Sequence, residues 1–221
     1  MVLSRLFLLA ACLLPFTAHA GRAGSAITAV EARNVVSDLR FEDGTLAERR
    51  FRRAGIEYLE GIAKHVYLGF GFGYTESEGR EAARPFETIA GNYGSLVLLF
   101  DASLADNASL RGRIEYLLQR DRHDASGDVE FETRALIARA ELGALFRFRQ
   151  LELSLGASIR DLDYRDTQRE SASEIVRHAK GVDATGAFAA LGWRNGNDGG
   201  IALRYDTGGE TGWVLRFERK F

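Results

Sequence analysis

The sequence predicts an all-β chain, closed as an antiparallel up-and-down barrel that crosses a membrane with its strands. Ten strands are expected, with eight or twelve as the alternatives. Three observations carry this reading. Apolar and polar residues alternate along most of the 221 residues, the period-2 pattern of strands. One face of these runs repeatedly carries Arg and Glu, while the other is almost wholly apolar. Finally, no helical pattern follows the first twenty residues that could supply a second layer over so many apolar faces, and no apolar run there reaches the roughly 20 residues of a membrane-crossing helix.

The clearest strand is Val66 to Tyr74, where Val66, Leu68, Phe70, Phe72 and Tyr74 form one face and Gly69, Gly71 and Gly73 the other. A face of glycines leaves room for long side chains from across a narrow barrel. Those side chains occur further along. Leu110, Ile114, Tyr116 and Leu118 stand against Arg111, Arg113, Glu115 and Gln119. Leu136 to Phe148 alternates with Arg139, Glu141 and Arg147, and Leu151 to Ile159 with Glu152 and Arg160. Arg149-Gln150 between the last two reads as a tight turn. Ala187 to Trp193 and Ile201 to Tyr205 continue the pattern, the latter against Arg204 and Asp206, with turns at Asn195 to Gly200 and Thr207 to Glu210. In Tyr93 to Phe100 both faces are apolar and the register stays open.

A charge facing lipid at mid-bilayer costs about 2–4 kcal/mol, so the Arg/Glu face must point inward. That assigns Glu57, Arg111, Arg113, Glu115, Arg139, Glu141, Arg147, Glu152, Arg160, Arg204, Asp206, Arg216 and Glu218 to the lumen. Such a set can line a narrow ion-selective pore or fill the interior as paired guanidinium and carboxylate groups; the filled interior is favoured.

Nine strands are countable from Ala54 onward. Val35 to Phe41, closed by the turn signal Asp43-Gly44, supplies a tenth. Residues 21–48 therefore hold a first strand or, reading Ile27 to Leu39 as weakly amphipathic, a short periplasmic helix, and 49–221 form the barrel. The longer polar stretches Glu76 to Thr88, Asp121 to Asp128 and Asp161 to Lys180 are expected to be outer loops.

At the N-terminus, Arg5, the apolar run Leu6 to Leu14, and Ala18-His19-Ala20 have the layout of a secretory signal peptide, with cleavage after Ala20. Cys12, the sole cysteine, would leave with it. The alternative is lipidation of Cys12 in Leu9-Ala10-Ala11-Cys12.

Trp213, Leu215, Phe217 and Phe221 form the outward row of the last strand, which ends on an aromatic residue. This strand resembles the terminal strand of bacterial outer-membrane β-barrels. The resemblance implies an outer-membrane location with outer-membrane lipid around the barrel. It also implies both chain ends in the periplasm, a monomer, and recognition of Trp213, Leu215, Phe217 and Phe221 by the assembly machinery. With a net charge of −2 no nucleic-acid partner is implied.

Some members of this broad group are enzymes, which makes the histidines candidate catalytic groups. His178 lies near Ser171, Ser173 and Glu174, and His123 between Asp121 and Asp124; both read more simply as solvated loop residues, as does His65 at a turn. Asp161, Asp163 and Asp166 could offer oxygen ligands to calcium, but loop solvation is the simpler reading, and no cofactor or metal is expected. The expected role is structural, surface-interacting or that of a narrow channel. The alternatives are a hydrolase acting on lipid or peptide through a rim histidine, and a soluble periplasmic lipocalin-like binding barrel.

Overall fold

A computed structural model describes residues 25–81, 84–124, 129–170, 173–195 and 199–221. The proposed leader, residues 1–20, lies outside the described residues. The strands are β1 (Ala26–Phe41), β2 (Leu46–Ala63), β3 (Val66–Glu81), β4 (Arg84–Ala105), β5 (Ala108–Asp124), β6 (Val129–Phe148), β7 (Leu151–Glu170), β8 (Ser173–Gly181), β9 (Thr185–Asn195), β10 (Gly199–Gly208) and β11 (Thr211–Lys220). All pairings are antiparallel, and β11 returns to β1, so ten strands close a ring through β7, β9, β10 and β11.

The eleventh segment, β8, makes the barrel two stacked rings. The lower half of β7, Leu151 to Ile159, pairs with β9, and its upper half, Asp163 to Glu170, pairs with β8. On the other side of the gap, Ile27 to Val36 of β1 pair with β11, whereas Leu39 to Phe41 pair with β8. Segments β8 and β9 are thus one descending strand broken at 182–184, and the short β10–β11 hairpin is wedged between β9 and β1 below the break. Ten strands make the lower ring and eight the upper.

The two rings have opposite polarity. Along β7, Leu151, Leu153, Leu155 and Ile159 face outward and are exposed while Arg160 is buried; above that point Leu162 and Tyr164 are buried inside and Asp161, Asp163 and Arg165 face out. The same inversion occurs on β6, where Arg139 gives way to Ile137 and Ala135 inside and Ala138 and Leu136 to Arg134 outside. About ten residues of tilted strand span the roughly 25 Å apolar band of an outer-membrane barrel. The lower ring, in which β9, β10 and β11 have 11, 10 and 10 residues, therefore lies in the bilayer. The upper ring is a collar standing outside it.

This inversion corrects the expected outer loops. Residues 76–81, 84–88, 121–124, 161–170 and 173–180 of these stretches are strand, and 82–83, 125–128 and 171–172 lie outside the described residues. Outward charges there, such as Glu76, Glu78, Arg122, Asp161 and Asp163, are the solvent face of continuing strands, cross-linked by pairs such as Arg52–Glu76 at 3.5 Å, Arg52–Glu78 at 3.1 Å and Arg122–Glu130 at 2.9 Å, whereas Asp121 and Asp166 are buried inside. The amphipathic reading of Ile27 to Leu39 as a helix is corrected too, since these residues are strand with alternate positions buried.

Two apolar clusters bracket the interior. Val35, Leu39, Phe41, Phe51, Leu117, Ile137, Leu162 and Tyr164 belong to the core of the collar. Ile27, Leu59, Tyr67, Val97 and Leu99 form a smaller cluster toward the end opposite the collar. The glycine-lined face has a specific occupant. Gly55, Gly73 and Tyr93 are directly opposed across β2, β3 and β4, and the Tyr93 hydroxyl fills the space a Cβ on Gly55 would take. Two-residue turns at Lys64-His65, Asp106-Asn107 and Arg149-Gln150 close the end of the barrel opposite the collar.

Candidate functional site

The charged layer between the two apolar clusters centres on Glu210. This residue sits at the tip of the β10–β11 hairpin, where the ten-stranded ring meets the eight-stranded collar. Gly208 (φ +93°) and Gly209 allow the tip to fold inward; a Cβ on Gly208 would collide with the Thr185 carbonyl, and one on Gly209 with that of Asp183. Gly209 N donates to the Thr185 carbonyl at 2.9 Å and Val182 N to the Asp38 carbonyl at 2.9 Å, which ties the fork shut.

Four guanidinium groups converge on the buried Glu210 carboxylate. Arg160 Nη1 is 3.0 Å from Oε1, Arg33 Nη1 3.3 Å from Oε2, and Arg53 Nη1 3.9 Å from Oε1, and Arg139 also pairs with it. Arg160 additionally donates to Ser37 Oγ at 2.9 Å and to the Gly209 carbonyl. Arg53 Nε donates to Gln119 Oε1 at 3.0 Å.

From this cluster a chain of ion pairs runs down to the rim opposite the collar. Arg33 pairs with Glu31 at 2.9 Å, Glu31 with Arg216 at 3.3 Å, and Arg216 with Glu218 at 3.4 Å. Glu218 reaches Arg194 at 3.9 Å, which shares Glu152 with Arg147 at 3.1 and 2.9 Å. A branch joins Arg216 to Glu57 at 2.6 Å; Arg113 holds both Glu57 oxygens and reaches Glu115 at 3.2 Å. A second branch runs from Arg139 to Glu141 at 3.7 Å, then through a two-pronged contact to Arg204 and on to Asp206. Arg111 is joined to Asp101 at 3.0 Å. A space of about 140 Å³ remains beneath, lined partly by Arg113, Arg204, Arg216 and Phe188.

Each charge assigned to the lumen from the sequence takes part in one of these ion pairs. Glu31, Arg33, Arg53, Asp101, Arg194 and Glu210 were missed. Glu31 and Arg33 carried the same alternate-position signal as Arg139 and Glu141, and Arg53 fell just before the first counted strand. Glu210 carried no local signal, because a charge in a Gly-Gly turn reads as solvated and only the fork turns it inward.

The chemical candidates separate. His178 is exposed on β8, not in a loop. Ser173 is five residues away along the same strand, roughly 16 Å off and on the opposite face, and Glu174 is about 13 Å off; Ser171 is outside the described residues. His123 is in the outermost turn of register of β5, paired with Phe131 of β6. Asp161 and Asp163 face out, whereas Asp166 faces in, accepting from Thr133 Oγ1 at 2.6 Å, Tyr164 Oη at 2.9 Å and Arg49 Nη2 at 3.0 Å. They form no calcium cage. Among the described residues no group of His, Cys, Asp and Glu is placed to hold a metal. At the C-terminus, Trp213, Phe217 and Phe221 are exposed outward and Leu215 half-buried, and Phe221 N donates to the Ala26 carbonyl at 2.8 Å.

In the collar, burial pushes the Asp121 carboxyl above its ordinary range, against the opposing hydrogen bond from Gln119 Nε2 at 2.6 Å. A raised folded-state value means that the folded collar binds this proton more tightly than the unfolded chain. The contribution of Asp121 is therefore most favourable below the unfolded value of about 3.9 and is lost as pH rises through the folded value. Asp121→Asn is expected to be at least as stable as the parent at pH 7.5, with the gain vanishing near pH 4, measured by urea unfolding of the refolded barrel. Equal destabilisation at both pH values would refute this.

No protein-family model matches the chain, and no curated protein matches it in sequence. Its structure is similar to the translocator domain of the autotransporter NalP from Neisseria meningitidis, with a TM-score of 0.51 and 12% identity over 100% of this chain and 94% of that one. Lower similarity extends to the outer membrane protease OmpT from Escherichia coli (TM-score 0.47, 10% identity, 88% of this chain and 94% of that one). It also extends to an outer membrane channel from Pseudomonas putida F1 (TM-score 0.47, 10% identity, 94% and 99%). At these identities the likeness is one of fold, that of the bacterial outer-membrane β-barrel. The exposed apolar belt of the lower ring is the surface that such a barrel turns to lipid.

Proposed function

We propose that this protein is a closed outer-membrane barrel with a surface-interaction role carried by the outside of its collar, and that it passes no solute. The observation that carries this reading is the packed collar interior, where Val35, Leu39, Phe51, Leu162 and Tyr164 are fully or almost fully buried. A solute path would have to cross that apolar core and then the Glu210 cluster, whose guanidinium groups are engaged with carboxylates. The lipocalin-like alternative has its polarity, apolar inside and charged outside, in the collar alone, and there the interior is occupied by the chain's own side chains. The row Trp213, Leu215, Phe217 and Phe221 remains the segment proposed for recognition during assembly, before β11 pairs with β1.

Purified protein in planar bilayers is expected to give no stepwise conductance. Steady channels whose ion selectivity shifts in Arg139→Ala or Glu141→Ala would overturn the closed reading in favour of a narrow pore.

A further inference from the structure

The outer face of the collar carries an arrangement that pairing alone does not explain. Arg120 of β5 is directly opposite Arg134 of β6, Arg134 is opposite Arg165 of β7, and Arg165 is opposite His178 of β8. Neighbouring strands are about 4.8 Å apart, so this basic row spans roughly 15 Å of surface. Like charges directly opposite one another destabilise a sheet. Two positions down each of β5 and β6 stand Leu118 and Leu136, at the top edge of the apolar belt, and the row and these leucines line one shallow groove of about 520 Å³.

Acidic neighbours compensate the row only in part. Glu132, one alternate position above, is shared by Arg120 at 3.0 Å and by Arg134, with Arg169 at 3.9 Å. Asp163 lies one alternate position below Arg165, opposite Lys180. Arg165 has no ion pair among the described residues. The Arg120 and Arg134 side chains remain 59% and 55% exposed.

We propose that this groove binds a phosphorylated, acylated lipid of the outer leaflet, with its phosphate groups on Arg120, Arg134 and Arg165 and an acyl chain over Leu118 and Leu136. Guanidinium groups present forked donors that suit phosphate. Their height, just above the hydrocarbon, is where lipid headgroups stand. A soluble acidic partner would have no use for the leucines beneath. The inference rests on the barrel standing in the bilayer and not on its lumen being closed, so a conducting barrel leaves it intact.

The test is lipid retention. The protein is refolded into phosphatidylcholine nanodiscs containing a small fraction of diphosphorylated lipid A, and bound lipid is counted by native mass spectrometry. The parent is expected to retain lipid A selectively over phosphatidylcholine and over dephosphorylated lipid A. Arg134→Gln/Arg165→Gln should lose affinity about tenfold or more, while Arg50→Gln/Arg52→Gln, on the collar face of β2, should retain it. Heat-dependent gel mobility checks that each barrel is folded, and Arg165→Gln alone, with an expected loss of several-fold, is read if the double variant is not. Equal retention in Arg165→Gln and parent, no preference for the phosphorylated lipid, or equal occupancy by inorganic phosphate alone would each overturn the proposal.

Discussion

Replacing Glu210 by Ala is expected to cost the barrel about 3–5 kcal/mol, the range for removing one partner of a buried ion pair. The Glu210 side chain is 3% exposed and faces Arg33, Arg53, Arg139 and Arg160. Without it, those cations lose their shared counterion in a region of low dielectric, and the loss falls on the fork where ten strands become eight. Urea unfolding in detergent micelles measures it. Glu210→Gln keeps the shape and removes the charge, so it should lose nearly as much. Adding Arg53→Met to Glu210→Ala should recover part of the loss by removing one of the stranded cations. A Glu210→Ala barrel within about 1 kcal/mol of the parent would mean that the cluster is solvated and the fork is held by backbone alone.

The second large effect lies in the collar. Phe51 is fully buried, meets Tyr164 edge-on at 6.5 Å between ring centroids, and has the Arg53 guanidinium 5.2 Å from its ring centroid. Phe51→Ala opens a cavity in a packed core and should cost about 3–5 kcal/mol. Phe51→Leu, closer in volume, should cost less than about 1.5 kcal/mol. Were the collar a hydrated vestibule, both substitutions would be close to neutral, because a side chain bathed in water loses little packing when trimmed.

These two residues also show what the sequence could and could not reveal. In the lower ring, outward Leu153 and Leu155 against inward Glu152 are unambiguous, because lipid forbids the reverse, and from such rows the barrel, its strand directions and most of its interior charges are legible. The collar uses the same alternation with opposite sign. Asp161, Asp163 and Arg165 look like a loop until Leu162 and Tyr164 are recognised as the inner face of a strand that has left the membrane. Phe51 was hidden for the same reason, set among Arg49, Arg50, Arg52 and Arg53. Glu210 is less accessible still, since its burial depends on a break at 182–184 and on a hairpin that pairs with β9 on one side and β1 on the other. No local pattern encodes that fork.

Single cysteines at Ile159, Asp161, Leu162 and Asp163, in a chain whose Cys12 is replaced, test the two-ring architecture most directly when intact cells are treated with a membrane-impermeant maleimide. Asp161→Cys and Asp163→Cys should label, because they face solvent outside the bilayer. Ile159→Cys should not, because it faces hydrocarbon, nor should Leu162→Cys, which lies between two labelled positions but points into the packed core. Labelling of Leu162→Cys as fast as its neighbours would show an open, water-filled collar, and no labelling at Asp161→Cys and Asp163→Cys would show that the upper ring does not stand outside the membrane.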